Sequence, residues 1–480
     1  IPYPAEEIDA MWKKVLLNQF HDILPGSSIK EVYEVTKQEY AEIADTAGSI
    51  IRNCLETLTG TGEGVTIYNT LGFVRDDIVN LGTIDANALK DEAGNIYPVQ
   101  RTGDGAVAYL KGLPSKGSKT FEVISTKESE VPFKLTGNHL ETPFYTIELD
   151  GQGLFTSIYD KDNDREVLQE GQQANLFRIY EDKPIYYDNW DIDIFYTEKF
   201  WDITGTTRME WTEIGEVRAT LEIDRNVSNS IIKQKIYFYA DSRKIEFNTY
   251  VDWKEHQHLL KVHFPVNIHS DEASFDIQFG NLTRKVHSNT SWDVARFESC
   301  GHKWIDLSEG HYGVSLLNDC KYGHSVKDGN MAITLIKSGI EPNPTTDQEE
   351  HYFTYAIYPH AESWRAAGTV REAANFNQPA YAVKGGVPGG LTSMASLDKS
   401  NVMLETVKQA EDGDGVVLRI YEFENALTKV QAILERAADI VSVEECNLLE
   451  EVITAVPRTE KGFAFEIKPY EIKTYKIKFK

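Results

Sequence analysis

Cysteine is scarce in this 480-residue chain, and the four present, Cys54, Cys300, Cys320 and Cys446, form no CxxC pair. That excludes zinc-ribbon and dithiol redox motifs. Scattered cysteines in a chain this long read as reduced thiols of a cytosolic protein, and the spacing leaves a Cys300–Cys320 bond open. Positive charge is also short: 49 Lys and Arg face 75 Asp and Glu, for a net charge of −26. So acidic a surface repels phosphate backbones and anionic lipid, which argues against nucleic acid or membrane as partner. It suits neutral or cationic ligands. No apolar run approaches the roughly 18 residues of a membrane span. No signal-peptide pattern stands at Ile1, but a starting Met is missing too, so the chain reads as cut, processed or trimmed. There is no GxSxG, Walker or dinucleotide fingerprint, which removes nucleophile-elbow and phosphate-cradling chemistry.

What is present is ordinary globular composition, 41% hydrophobic, in a length that suggests two to four domains. From about Ala5 to Phe20 the pattern is helical, with Ile8, Trp12, Val15 and Gln19 on one stripe and Met11, Leu16 and Phe20 beside it. Pro25-Gly26 stops this helix, and Ser28-Ile29-Lys30-Glu31 reads as a capping box for the next. Apolar residues from Ile29 to Leu58 then recur every three or four positions, which predicts a helix of about 30 residues, roughly 45 Å long. Both helices carry wide apolar faces, as in a bundle lacking its first member.

After Gly60-Thr61-Gly62 the period changes to two. Asp91 to Asn95 reads as a turn between strands. Ile245, Phe247, Thr249, Val251 and Trp253 alternate with polar residues after a hairpin-like Asp241-Ser242-Arg243. Tyr475, Ile477 and Phe479 alternate with lysines. Such alternation means antiparallel sheet, and no βαβ rhythm appears, which favours sandwiches. The predicted fold is mainly β with an N-terminal helical segment. Its divisions are a helical segment at 1–62, a small β-sandwich at 63–130, a large β-sandwich at 131–395 and a C-terminal β domain at 396–480. Gly385 to Gly390 is expected as a long surface loop before the last module.

Five clusters carry candidate chemistry. His21-Asp22 sets an imidazole and a carboxylate at a helix end, but a zinc site needs about three or four ligands, and a satisfied histidine near a helix terminus is the plainer reading. Tyr186-Tyr187-Asp188-Asn189-Trp190-Asp191-Ile192-Asp193 interleaves acids with aromatics. Sugar sites use this mixture, rings stacking on the pyranose face and carboxylates accepting from hydroxyls; the alternative is an acidic loop with aromatic anchors. His256-Gln257-His258 on a strand would point both imidazoles to one face, without a clear third ligand. The segments Trp292–Asp306 and Asp347–His351 read as loops and ion pairs.

Taken in order, these segments resemble family-38 glycoside hydrolases, the α-mannosidases. The resemblance is carried by Gln19-Phe20-His21-Asp22-Ile23-Leu24-Pro25-Gly26-Ser27-Ser28, Asp188-Asn189-Trp190-Asp191-Ile192, Leu260-Lys261-Val262-His263-Phe264-Pro265, His302-Lys303-Trp304-Ile305-Asp306 and Tyr355-Ala356-Ile357-Tyr358-Pro359-His360. It implies that His21 is the last of four zinc ligands and that Asp22 contacts sugar hydroxyls. It implies that Tyr187, Asp188, Trp190 and Asp191 reach the substrate, and that the large β domain is galactose-mutarotase-like. It implies that the family's HxD ligand pair, nucleophile and acid/base belong to an N-terminal catalytic domain.

The chain is therefore expected to be the C-terminal half of a cytoplasmic, retaining, zinc-dependent α-mannosidase acting on α-mannoside oligosaccharides, inactive and without zinc by itself. Its expected partner is its own N-terminal catalytic domain, and a homo-oligomer stays open. Three other readings stay open: a mannoside-binding module, a purely structural β module, and a relative cleaving mannosylglycerate-type substrates.

Overall fold

The computed structural model describes residues 2–127 and 130–480. Strand makes up 47% of the chain and helix 14%, so the protein is mainly β. It divides into two compact units. One comprises Ile1–Leu55, Val131–Phe275 and Thr283–Val370; the other comprises Glu56–Glu130, Asp276–Leu282 and Arg371–Lys480.

Helix α1 spans Ala5–Asn18 and α2 spans Lys30–Thr59. The first ends two residues before Phe20, because Asn18 is taken up by α2: its amide donates to Glu39 at 2.6 Å and its carbonyl oxygen accepts from Thr36 at 2.7 Å. Lys14 and Glu42 add an ion pair to this seam. The seam is polar and narrow, and it leaves Trp12, Leu16, Leu17 and Val35 exposed. The capping box does not form as expected. The Ser28 N–H donates to the Tyr33 hydroxyl at 2.8 Å, and the helix starts at Lys30.

In the first unit two antiparallel sheets face each other. One runs in the spatial order 208–214, 218–227, 230–239, 245–252, 350–361, 312–318, 304–308 and 272–277. The other has six strands, in the order 200–203, 176–181, 258–265, 330–338, 323–327 and 299–300. The alternation read from Ile245 to Trp253 is this packing: all five residues are buried. Phe247 stacks on Tyr355 with ring centroids 5.0 Å apart. The Tyr355 hydroxyl donates to Asn175 and accepts from Gln234, whose carbonyl in turn accepts from Asn175, a closed triangle that satisfies every member.

In the second unit the strand 65–69 lies between 381–384 and 117–124. Gly385–Gly390 thus connects two strands that border one sheet, since 391–393 also pairs with 117–124. Gly64 accepts from the Gly385 N–H and donates to the Gly386 carbonyl, and a Cβ on Gly386 would clash with Thr66 Oγ1. A separate pair of sheets built from 395–467 and 402–479 encloses Val430, Phe463, Tyr475 and Ile477. All four cysteines are free thiols. Among the described residues no helix is long and apolar enough to cross a membrane.

The outer face of the six-stranded sheet carries buried charge. Lys261, fully buried, pairs with Glu298 and donates to Ser325 Oγ at 2.7 Å. Glu298 also accepts from the Tyr196 hydroxyl at 2.6 Å, which pins the 194–198 turn to the sheet. Next to it His263 lies between Tyr180 and Asn330, each 2.9 Å away. Burial, with Lys261 and Arg178 nearby, pushes its pKa well below the usual value. Burial likewise pushes His324 down to about 3.

Both imidazoles are neutral in the folded state and bind a proton more weakly than in the unfolded chain. The unfolded chain takes up the extra proton below about pH 6.5. Stability therefore falls as the pH drops through that value toward the folded pKa. Urea unfolding of the large unit between pH 6.5 and 4 is expected to lose about one proton of pH dependence in His324→Gln, or about 1.4 kcal/mol per pH unit. An unchanged slope contradicts the assignment.

Candidate functional site

Residues 19–26 form a tight turn after α1, closed by the Ile23 and Leu24 N–H groups on the Phe20 carbonyl at 2.9 and 3.1 Å. Gly26 takes φ 83°, the left-handed conformation that glycine adopts without strain. The Tyr33 hydroxyl reaches back from α2 to the carbonyls of Asp22 and Ile23 at 3.1 and 3.3 Å. The turn is thus held by its backbone, and the His21 ring is left 72% exposed. Its Nε2 lies 3.3 Å from Asp22 Oδ2, and its ring packs on Phe20. Asp22 Oδ1 is buried with no hydrogen-bond partner.

Adjacent His21 and Asp22 suit a metal or a polyol, but they are two donors where zinc needs three or four. No group of three His, Cys, Asp or Glu side chains poised to hold a metal exists among the described residues. The residues present do not complete a zinc centre.

The second element is the 182–193 loop. It leaves the end of strand 176–181, where Glu181 pairs with His258 and His258 with Ser338. Three segments therefore emerge at one level: 182–193, 256–257 and 339–349. Asp188 and Asn189 turn inward and are buried, while Tyr186, Tyr187, Trp190 and Asp191 are exposed. Tyr187 adopts φ 53°, and its carbonyl accepts from the N–H groups of Trp190 and Asp191 at 2.7 and 3.0 Å. This turn brings the Tyr187 and Trp190 rings to a centroid distance of 6.5 Å, near perpendicular. Asp191 lies beside them, with one carboxylate oxygen accepting from Ile192 N–H. Two rings and an outward carboxylate on one turn can offer a sugar an apolar face and a hydroxyl acceptor.

Asp188 is differently employed. Its carboxylate accepts from Ile340 N–H at 3.0 Å, Glu341 N–H at 2.8 Å and Gln257 Nε2 at 3.1 Å. Lys337 donates to its carbonyl and pairs with Asp182 at 2.7 Å. Burial pushes the Asp182 carboxyl above the ordinary range despite that lysine. Asn189 donates to Thr346 Oγ1 at 2.6 Å. Gln257, Lys337, Gly339 and Thr346 were not picked out from the sequence. Gln257 stood in the sequence only as the spacer between His256 and His258, and Gly339 only as a small residue where a strand-like run ends.

The remaining clusters resolve as structure. Gln257 has φ 50°, so His256 and His258 do not lie on one strand face; His258 begins the strand, and His256 bonds Gln348 at 2.6 Å. Asp293 completes a capping box with Thr290. Asp306 binds His360, Ser308 and Ser315 in the interior. Asp347 is half-buried, and its desolvation pushes the carboxyl above the ordinary range, while Glu349 pairs with Lys37 of α2.

Known proteins match along this framework. The alpha mannosidase middle domain matches residues 1–58, the glycosyl hydrolases family 38 C-terminal domain matches 140–345, and that family's C-terminal beta sandwich domain matches 401–475. Alpha-mannosidase G of Dictyostelium discoideum is 30% identical over 99% of this chain and 48% of its own length. Human alpha-mannosidase 2C1 is 33% identical over 93% of this chain and 43% of its own. The crystal structure of an alpha-mannosidase from Enterococcus faecalis V583 superposes on the whole chain with a TM-score of 0.81 at 17% identity, using 64% of that chain. The chain belongs to glycosyl hydrolase family 38. It spans about half the length of the curated relatives it matches.

A Cβ on Gly339 would stand 2.0 Å from Asn189 Oδ1 and 2.9 Å from Asp188 Oδ1. Elsewhere in ordinary backbone a Gly→Ala change stabilises by about 0.4–1 kcal/mol through the unfolded chain. Here Gly339→Ala is expected to destabilise the large unit by about 1–3 kcal/mol in urea unfolding, as overpacking does. A stabilised variant contradicts the close approach.

Proposed function

We propose that this chain is the C-terminal half of a retaining, zinc-dependent α-mannosidase that hydrolyses terminal α-mannosides in the cytoplasm. The observation that carries the reading is the His21-Asp22 turn: a backbone-held, solvent-facing imidazole beside an unpartnered carboxylate oxygen, inside the stretch that matches the alpha mannosidase middle domain. A retaining glycosidase also needs two carboxylates flanking the glycosidic bond. Those groups, and the zinc ligands that join His21, are assigned to an N-terminal catalytic domain. The exposed apolar side chains of α1 and α2, among them Trp12, Leu16 and Leu17, are assigned to packing against that domain. Tyr187, Trp190 and Asp191 serve the sugar from the β region, and Asp22 accepts from its hydroxyls.

A second reading is favoured by the aromatic turn alone. Tyr187 and Trp190 are well placed to bind mannosides without chemistry, as a lectin-like module does.

The purified chain is expected to release no product from an aryl α-mannoside with or without added zinc. Adding the separately produced catalytic domain is expected to restore hydrolysis, and His21→Ala to abolish that restoration. Zinc-dependent turnover by the chain alone overturns the proposal. Mannose-oligosaccharide affinity that survives His21→Ala but is lost in Trp190→Ala supports the lectin-like reading instead.

A further inference from the structure

We propose that Asp188 is a positioning residue that sets the aromatic turn, rather than a group that touches sugar. The inference rests on the reading of Tyr187 and Trp190 as a carbohydrate platform, and it reassigns the acid between them.

The geometry begins in the sheet. Strands 176–181, 258–265 and 330–338 are neighbours, and their register sets Glu181, His258 and Ser338 side by side. The three emerging segments would be free to move independently unless something joined them. Asp188 joins all three. From the 182–193 loop its carboxylate reaches the Ile340 and Glu341 N–H groups of the 339–349 segment and the Gln257 amide of the 256–257 segment. Lys337, one residue before the strand end, closes the arrangement by donating to the Asp188 carbonyl while pairing with Asp182. Gln257 holds the other two segments together through its backbone: its N–H donates to Ser338 at 2.6 Å and its carbonyl accepts from Asp182 N–H at 2.9 Å. Asn189 repeats the attachment, donating its N–H to the Glu341 carbonyl at 3.2 Å.

These bonds account for Asp188. A carboxylate 5% exposed, with three N–H donors already on it, has little room to accept from a ligand hydroxyl. The aromatic residues that flank Asp188 and Asn189 are used in the opposite sense. Tyr187 is held in the left-handed region, with its ring and that of Trp190 outside. A non-glycine residue persists at such a φ when its surroundings over-determine it, and here the next residue is the one locked beneath. Asp188 thereby fixes the angle at which two rings meet solvent, which is the preorganisation a stacking site requires.

The test uses the 480-residue chain labelled with 5-fluorotryptophan, with the Trp190 resonance assigned by its loss in Trp190→Phe. Asp188→Asn keeps the shape of the side chain but opposes an amide donor to N–H donors. It is expected to shift and broaden the Trp190 fluorine resonance and to weaken binding of a mannose oligosaccharide at least tenfold. Asp191→Asn is expected to weaken binding with the resonance unmoved. Gly339→Ala, which crowds Asp188 and Asn189 without removing a hydrogen-bonding group, is expected to move the same resonance, and it serves if Asp188→Asn does not fold. A Trp190 resonance unmoved in either folded variant overturns the inference, and affinity lost without that shift makes Asp188 a direct sugar contact. If the unmodified chain binds no mannoside while the resonance still moves, the positioning role stands and the carbohydrate reading fails.

Discussion

Three neighbouring strands that stop at the same level impose the constraint on which the large unit's aromatic turn depends. Glu181, His258 and Ser338 are held in line by the ladder. Below that line the sheet is bonded to itself and packed on a core that includes Phe177, Leu260 and Ile333. Above it the backbone leaves the ladder, and every N–H and C=O needs another partner. The loops supply it to one another: Asp182 N–H to the Gln257 carbonyl, Gln257 N–H to the Ser338 carbonyl, Ile340 and Glu341 N–H to Asp188. The same need anchors the far side of the 339–349 segment, where Trp253 donates its backbone N–H to Glu349 at 3.0 Å and its indole N–H to Ser338 Oγ at 3.0 Å. Satisfying the strand ends therefore builds a rigid base, and Tyr187 and Trp190 stand on it.

The helical segment follows a different economy. Its two helices meet through Asn18, Thr36, Glu39, Lys14 and Glu42, all polar. In α1 only Asn18 is buried, and in α2 no residue is. Large apolar side chains gain about 1.5–3 kcal/mol each when fully buried, and here that stabilisation is not collected within the described residues. Lys37 of α2 pairs with Glu349 of the β region, but that pair is exposed on both sides and contributes little energy. A segment so organised takes its direction from a surface that covers its apolar stripes, which is how it is used in the proposed enzyme.

Much of the architecture was legible because it rests on periodicity. The change from a 3.6 to a 2.0 period after Gly60 and the alternation from Ile245 to Trp253 are direct consequences of which face each residue buries. The aromatic turn was less legible for the same reason. Acids and aromatics alternate in Tyr187-Asp188-Asn189-Trp190-Asp191 as though one face were chemical, yet a left-handed residue at Tyr187 breaks the alternation and sends Asp188 and Asn189 inward together. The His256-Gln257-His258 reading failed for the same cause, a left-handed residue in the middle. The partners of Asp188 come from about 70 and 150 positions away, and no local pattern carries contacts of that range. The pairing of Lys261 with Glu298 was hidden likewise, its members being 37 residues apart.

The histidines make the case for His21 by contrast. His263 and His360 are buried, and in each both ring nitrogens have polar partners. His324 is buried deeply enough to stay neutral down to about pH 3, with its Nδ1 beside the Tyr322 carbonyl. These imidazoles are committed to packing. His21 is held through neighbouring backbone instead: the Phe20 carbonyl closes its turn, and Tyr33 reaches past it to Asp22 and Ile23. A fold that fixes a residue's backbone while leaving its ring to solvent, beside a carboxylate with an unpartnered oxygen, has specified a direction. Within the turn the ring meets only Phe20 and the other Asp22 oxygen, and most of it stays in solvent. That exposure is accounted for when the ring's partner is an incoming ligand, and the α-mannosidase reading supplies one.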